Sequence, residues 1–74
     1  MKQREFLATF FLTDGRDRYF NFYASDIGDI ISKIQGFHLM DISYEDKKIV
    51  KEVIVITDGD VILHLTNDIF KESV

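Results

Sequence analysis

Residues 25–36, S-D-I-G-D-I-I-S-K-I-Q-G, carry the only strong helix signal in this chain. Four isoleucines recur there at the spacing i, i+3, i+4 and i+7, which forms one apolar stripe along a helix. They are Ile27, Ile30, Ile31 and Ile34. Ser25 or Asp26 can cap the first turn, and Gly36 can adopt the left-handed conformation that ends a helix. A helix of three turns can cover one face of a sheet and no more.

Alternating residue patterns predict strands on both sides of this helix. Two strands precede it, at 5–13 and 18–24, and three follow it, at 37–44, 49–57 and 61–65. The last nine residues, T-N-D-I-F-K-E-S-V, favour a short C-terminal helix. The order ββαβββ, without an internal linker, predicts a single α+β domain over residues 1–74. We expect an antiparallel five-stranded sheet with the helix on one face.

Two turn signals predict how neighbouring strands pair. The parity of the apolar residues favours a three-residue loop that ends at Gly15, in the left-handed position of a G1 bulge. This loop sets Ala8 opposite Phe20 on the face that packs into the core. The dipeptide Asp58-Gly59 predicts a two-residue type I′ turn between the last two strands.

With these turns, both faces of the last three predicted strands are apolar. The pairing assigns Ile54 and Ile56 to the helix-covered face and leaves the other face uncovered. A solvated antiparallel face would alternate to polar residues, so the pattern predicts a protein contact, most simply a homodimer. The alternatives are that the tail, residues 66–74, folds over this face or that the sheet curls on itself. The residues expected at the contact are Met40, Ile42, Tyr44, Val53, Val55, Ile62 and His64.

Composition and residue spacing argue against a catalytic site, a metal site or a cofactor site. The chain has no cysteine, which excludes a disulfide framework, a thiolate zinc site and a thiol nucleophile. His38 and His64 fall on predicted strands about 10 Å apart, which is too far for easy joint binding of a metal ion. The Asp-Gly pairs are typical of turns, and no catalytic motif or glycine-rich phosphate loop occurs. We therefore expect no enzyme activity, no metal and no cofactor.

The first hairpin offers an alternative interpretation, because aromatic side chains on a sheet with nearby cations can stack nucleic-acid bases. The residues that would bind a single strand are Phe11, Arg16, Arg18, Tyr19 and Tyr23. The net charge of -4 opposes general binding to phosphates, and no RNP-like motif is present. Single-stranded nucleic acid is therefore the second hypothesis, behind a protein partner.

In size and charge the chain resembles small acidic α/β proteins of phage and mobile-element genomes. That resemblance implies an inhibitor that binds and blocks a host protein. No apolar run is long enough to span a membrane, and nothing marks the chain for export, so we expect a cytoplasmic protein without a membrane partner. The sequence thus predicts a non-enzymatic protein-interaction domain that acts through an apolar sheet face or a strand edge.

Overall fold

The computed structural model describes residues 3–40 and 50–70. Its elements are β1 (Arg4–Leu12), β2 (Asp17–Ala24), α1 (Ile27–Met40), β3 (Val50–Thr57), β4 (Asp60–Thr66) and a short 3₁₀ helix (Asn67–Phe70). The strands of this described part form one antiparallel sheet in the order β2-β1-β3-β4. The predicted small α+β class with one α-helix is confirmed. The predicted five strands are wrong, since the described order is ββαββ with four strands.

The helix is longer than predicted, and it includes residues 37–40 of the predicted strand at 37–44. Helix α1 continues through Gly36 because the next two residues extend its buried stripe. The ring of Phe37 stacks on Phe20 at a centroid distance of 4.3 Å. The buried ring of His38 stacks on Phe70 at 3.8 Å. This packing offsets the cost of about 1 kcal/mol for a glycine inside a helix; residues 41–44 of the predicted strand lie outside the described residues.

The first hairpin follows its prediction. Ala8 pairs with Phe20, and Gly15 has a φ of 91°. The Leu12 amide donates to the Arg16 carbonyl at 2.9 Å, and the Gly15 amide donates to the Leu12 carbonyl at 3.1 Å. These bonds close the three-residue loop with its G1 bulge.

Asp14 reinforces this loop. Its carboxylate accepts a hydrogen bond from the Arg16 backbone amide at 3.0 Å and another from the Arg16 Nε at 2.6 Å. The backbone hydrogen bond is the largest cause of a lowered pKa for Asp14. Because protonation weakens both bonds, the support that Asp14 lends to the loop is lost as the pH falls through this lowered pKa.

The second hairpin has the predicted turn but a shifted register. Asp58 and Gly59 both have positive φ, 53° and 81°, as a type I′ turn requires. Ile56 then pairs with Val61 as predicted, but Val55 pairs with Leu63 because a bulge intervenes. The extra residue shifts the rest of β4 by one position relative to the predicted pairing.

Gly59 in the β3–β4 turn and Gly36 inside α1 set opposite expectations for substitution by alanine. Gly59→Ala should destabilise the domain by about 1–2 kcal/mol, because an L-residue is disfavoured in the left-handed region. Gly36→Ala should stabilise it by about 0.8–1.0 kcal/mol, because the position lies inside α1 and, apart from the adjoining helix backbone and chain neighbours, nothing lies within 4 Å of an added Cβ. Urea unfolding measures both. Destabilisation by Gly36→Ala would contradict the continuous helix.

The core lies between the sheet and the layer formed by α1 and the 3₁₀ helix. Val53 and Val55 are completely buried in it, so their predicted place on the uncovered face is wrong. The physical reason is the partner strand: β3 pairs with β1, and Val55 lies opposite Ala8 on the helix-covered side. Ile54 and Ile56 consequently lie on the other face. No helix in the described part of the chain is long and apolar enough to cross a membrane.

Candidate functional site

The sheet face opposite α1 carries neither of the two described helices, and we call it the open face. Both helices pack on the other side, where Phe37 and Phe70 contact the ring of Phe10. Alternation along the four strands places eleven uncharged or histidine side chains on the open face, of which one is Thr66, opposite Glu52. The others are Leu7, Thr9, Phe11, Tyr19, Asn21, Tyr23, Ile54, Ile56, Val61 and His64.

Apolar surface on the open face is most exposed at its two edges. Tyr19 and Tyr23 on β2 are 63% and 56% exposed, and Val61 on β4 is 62% exposed. The apolar side chains of the two central strands on this face, Leu7, Phe11, Ile54 and Ile56, are half-buried. A band of aromatic and aliphatic side chains therefore crosses the whole sheet and ends in exposed tyrosines.

The charges on the open face are acidic. Among the described residues, the register assigns Glu5, Asp17 and Glu52 to this face. Glu52 forms an ion-pair contact with the His64 ring, which is charged only when the histidine is protonated. At one corner Arg4 pairs with Asp58 at 2.6 Å. The face thus combines an apolar middle with carboxylates at its margin.

The residues predicted for the protein contact are scattered by the structure. Met40 ends α1 and is highly exposed, whereas Val53 and Val55 lie in the core. Ile62 is the extra residue of the β4 bulge and is 41% exposed. His64 lies on the open face, opposite Ile54. Ile42 and Tyr44 lie outside the described residues.

The residues of the nucleic-acid hypothesis are also separated. Phe11, Tyr19 and Tyr23 share the open face. Arg18 pairs with Phe10 and so lies on the helix-covered side of β2. Arg16 lies in the loop, where it pairs with the Asp14 carboxylate. The structure therefore keeps the aromatic residues together but does not surround them with the predicted cations.

Sequence reasoning missed the aliphatic part of this surface. Ile54, Ile56 and Val61 lie there, although the predicted pairing put them on the helix-covered face. Residues 53–56 of β3, V-I-V-I, are apolar at odd and even positions alike, so this stretch contains no signal for the choice. Only the pairing of β3 with β1 makes that choice.

One shallow depression of about 290 Å³ lies at the end of the open face, beside the β3–β4 turn. Its lining includes the carboxylates of Glu5 and Asp58, of which Asp58 is engaged by Arg4. Among the described residues, no group of three or more potential ligands is placed to hold a metal ion. Comparisons with protein-family models, curated proteins and solved structures find no match to this chain.

Proposed function

We propose that this protein is a non-enzymatic protein–protein interaction domain that binds a second copy of the chain through the open face or through the strand edge that carries its exposed tyrosines. One observation carries the proposal: Tyr19, Tyr23 and Val61 are each more than half exposed on a face whose middle is apolar. Contact of such surface with water is unfavourable by about 25 cal/mol per Å². Contiguous exposed apolar surface is typical of a protein interaction site.

The arrangement of the tyrosines favours a second copy as the partner. Tyr19 and Tyr23 lie two residues before and two residues after Asn21 on the same edge strand. A two-fold axis near Asn21 would therefore bring each tyrosine next to a tyrosine of the second copy, as a self-complementary interface requires. Aromatic pairs of this kind contribute about 0.5–1.5 kcal/mol beyond the area that they bury. A chain of 74 residues without disulfides also gains stability from association.

The charges favour protein over nucleic acid. Phosphates approaching Tyr19 and Tyr23 would meet Asp17 and Glu5 on the same face, whereas Arg18 lies on the other side of β2. Binding to single strands depends on cations that track the phosphate backbone. We keep the cytoplasmic location expected from the sequence as part of this proposal.

The test is the mass of the protein in solution. We expect light scattering to show a rise from 8.7 kDa towards twice that value as the concentration increases through the micromolar range. The double variant Tyr19→Ser, Tyr23→Ser should stay at the monomer mass, because it removes the aromatic surface. The matched control is Met40→Ser, which removes another exposed apolar side chain at the end of α1 and should still dimerise. Circular dichroism checks that all variants keep the fold.

Two results would contradict the proposal. One is a wild-type protein that remains monomeric at high micromolar concentration. The other is a tyrosine double variant that dimerises as well as the wild type. Salt-sensitive binding of a fluorescent single-stranded oligonucleotide by the wild-type protein would instead favour the nucleic-acid hypothesis.

A further inference from the structure

We infer that the second copy binds along the outer edge of β2, so that two four-stranded sheets join into one antiparallel sheet of eight strands. This inference rests on the proposed function and names the seam of the dimer. In the described sheet, β2 is a terminal strand, paired only with β1. A terminal strand presents a row of backbone donors and acceptors that can pair with another strand.

The backbone groups that point outward from β2 can be identified. The hydrogen bond from the Leu12 amide to the Arg16 carbonyl shows which residue pairs of β1 and β2 exchange backbone hydrogen bonds. Because bonded pairs alternate in an antiparallel ladder, Phe20 and Phe22 direct their backbone groups towards β1. Tyr19, Asn21 and Tyr23 therefore direct theirs away from it.

A hydrogen bond from α1 independently supports this assignment of the outward backbone groups of β2. The Lys33 ammonium donates a hydrogen bond to the Tyr23 carbonyl at 2.5 Å. Lys33 belongs to α1 and not to β1, so this carbonyl faces away from the ladder. A carbonyl oxygen has two lone pairs and can accept a second hydrogen bond from another chain. The Tyr23 carbonyl can therefore accept a hydrogen bond from a second chain while it still accepts one from Lys33.

The two terminal strands of the sheet differ in how well they can pair. β2 is in continuous register with β1 over eight residue pairs. β4 contains the bulge at Ile62, which interrupts its ladder with β3. Bulges protect an edge because they break the regular spacing of donors and acceptors. The regular edge is therefore β2, the strand that also carries the exposed tyrosines.

A two-fold axis through Asn21 gives the register of the seam. Asn21 then pairs with Asn21 of the second copy, and Tyr19 lies opposite Tyr23 of the second copy. On the helix-covered side, Phe20 comes next to Phe22 of the second copy. Each side of the joined sheet thus gains aromatic pairs across the seam.

The carboxylates at the margin of the open face favour this edge arrangement over the stacking of one open face on another. Two stacked open faces would place the Glu5, Asp17 and Glu52 carboxylates of both copies in one interface, where like charges repel. In the edge arrangement, the two Asp17 residues lie eight residues apart along the seam, about 27 Å at 3.4 Å per residue. That exceeds the Debye length of about 8 Å at physiological salt. The charges therefore favour the edge.

The experiment combines two variants of Asn21 with amide hydrogen exchange of the wild type. Asn21→Pro removes an outward donor and no bond to β1, so the monomer should fold while the dimer weakens by about tenfold or more. Asn21→Ala keeps the donor and should dimerise within about threefold of the wild type. In the wild type, exchange at Tyr19, Asn21 and Tyr23 should slow as the concentration rises. The amides of Phe20 and Phe22 are internal controls, because β1 protects them in both states.

The outcomes distinguish the seam from the dimer itself. A dimer that survives Asn21→Pro, or that forms without slower exchange at Tyr19 and Asn21, would overturn the β2 seam and leave the proposed function standing. A wild-type protein that never dimerises would overturn the proposed function. The exchange measurement needs no variant, so it decides the question even where the proline variant does not fold.

Discussion

Replacement of Ile34 by alanine is expected to unfold most of the protein at 25 °C. Ile34 lies on the inner face of α1 and is completely buried in the core. Truncation of a buried isoleucine to alanine costs about 2–5 kcal/mol, and a domain of this size has a net stability of about 3–5 kcal/mol. Far-UV circular dichroism and urea unfolding measure the loss directly.

Ile27→Ala is the matched control for this prediction, since it makes the same substitution on the same helix. Ile27 is 59% exposed, although it belongs to the stripe predicted from the sequence. Its truncation should change the free energy of unfolding by less than about 0.5 kcal/mol. Equal effects of the two substitutions would show that the buried face of α1 is not centred on Ile34.

Val55→Glu is expected to abolish folding, whereas Val61→Glu should leave the fold intact. Val55 is completely buried between β1 and β4, and a glutamate there would place an unpaired carboxylate in the core. An uncompensated buried charge costs several kcal/mol, enough to exceed the stability of the domain. Val61 makes a fair comparison because it undergoes the same substitution on the adjacent strand while it is 62% exposed.

Circular dichroism distinguishes the two variants, and a two-dimensional amide spectrum confirms which one is folded. The pair tests the assignment of faces directly, because the sequence pattern predicts the opposite location for both residues. A folded Val55→Glu variant, together with an unfolded Val61→Glu variant, would mean that α1 covers the face of Ile54 and Val61. The open face would then have to be reassigned.

Local interactions were predictable because their causes lie within a few residues of sequence. The Gly15 loop needs one residue with positive φ, and the Asp58-Gly59 turn needs two, which only a few residue types adopt readily. The start of α1 is equally local: the Asp26 side chain accepts a hydrogen bond from the Asp29 amide at 2.8 Å. The core face of the first hairpin follows from its loop length, since the loop fixes which residues lie opposite each other.

The end of α1 was decided by tertiary contacts. Gly36 can end a helix, and Phe37 is compatible with a strand, so local preference pointed to a boundary between them. The stacking of Phe37 on Phe20 and of His38 on Phe70 involves residues 17 and 32 positions away in the chain. Such partners do not show in the periodicity of a twelve-residue window.

One part of the candidate site follows from the sequence, and the other part follows only from the tertiary structure. The sequence by itself determined that Tyr19 and Tyr23 share a face opposite the core side of their strand, because the first hairpin is local. Only the tertiary structure decided that Ile54 and Ile56 join them, since residues 53–56 of β3 are apolar at odd and even positions alike. The pairing of β3 with β1 places Val53 and Val55 on the side of α1. A shift of the register by one residue would move every side chain of the strand to the other face.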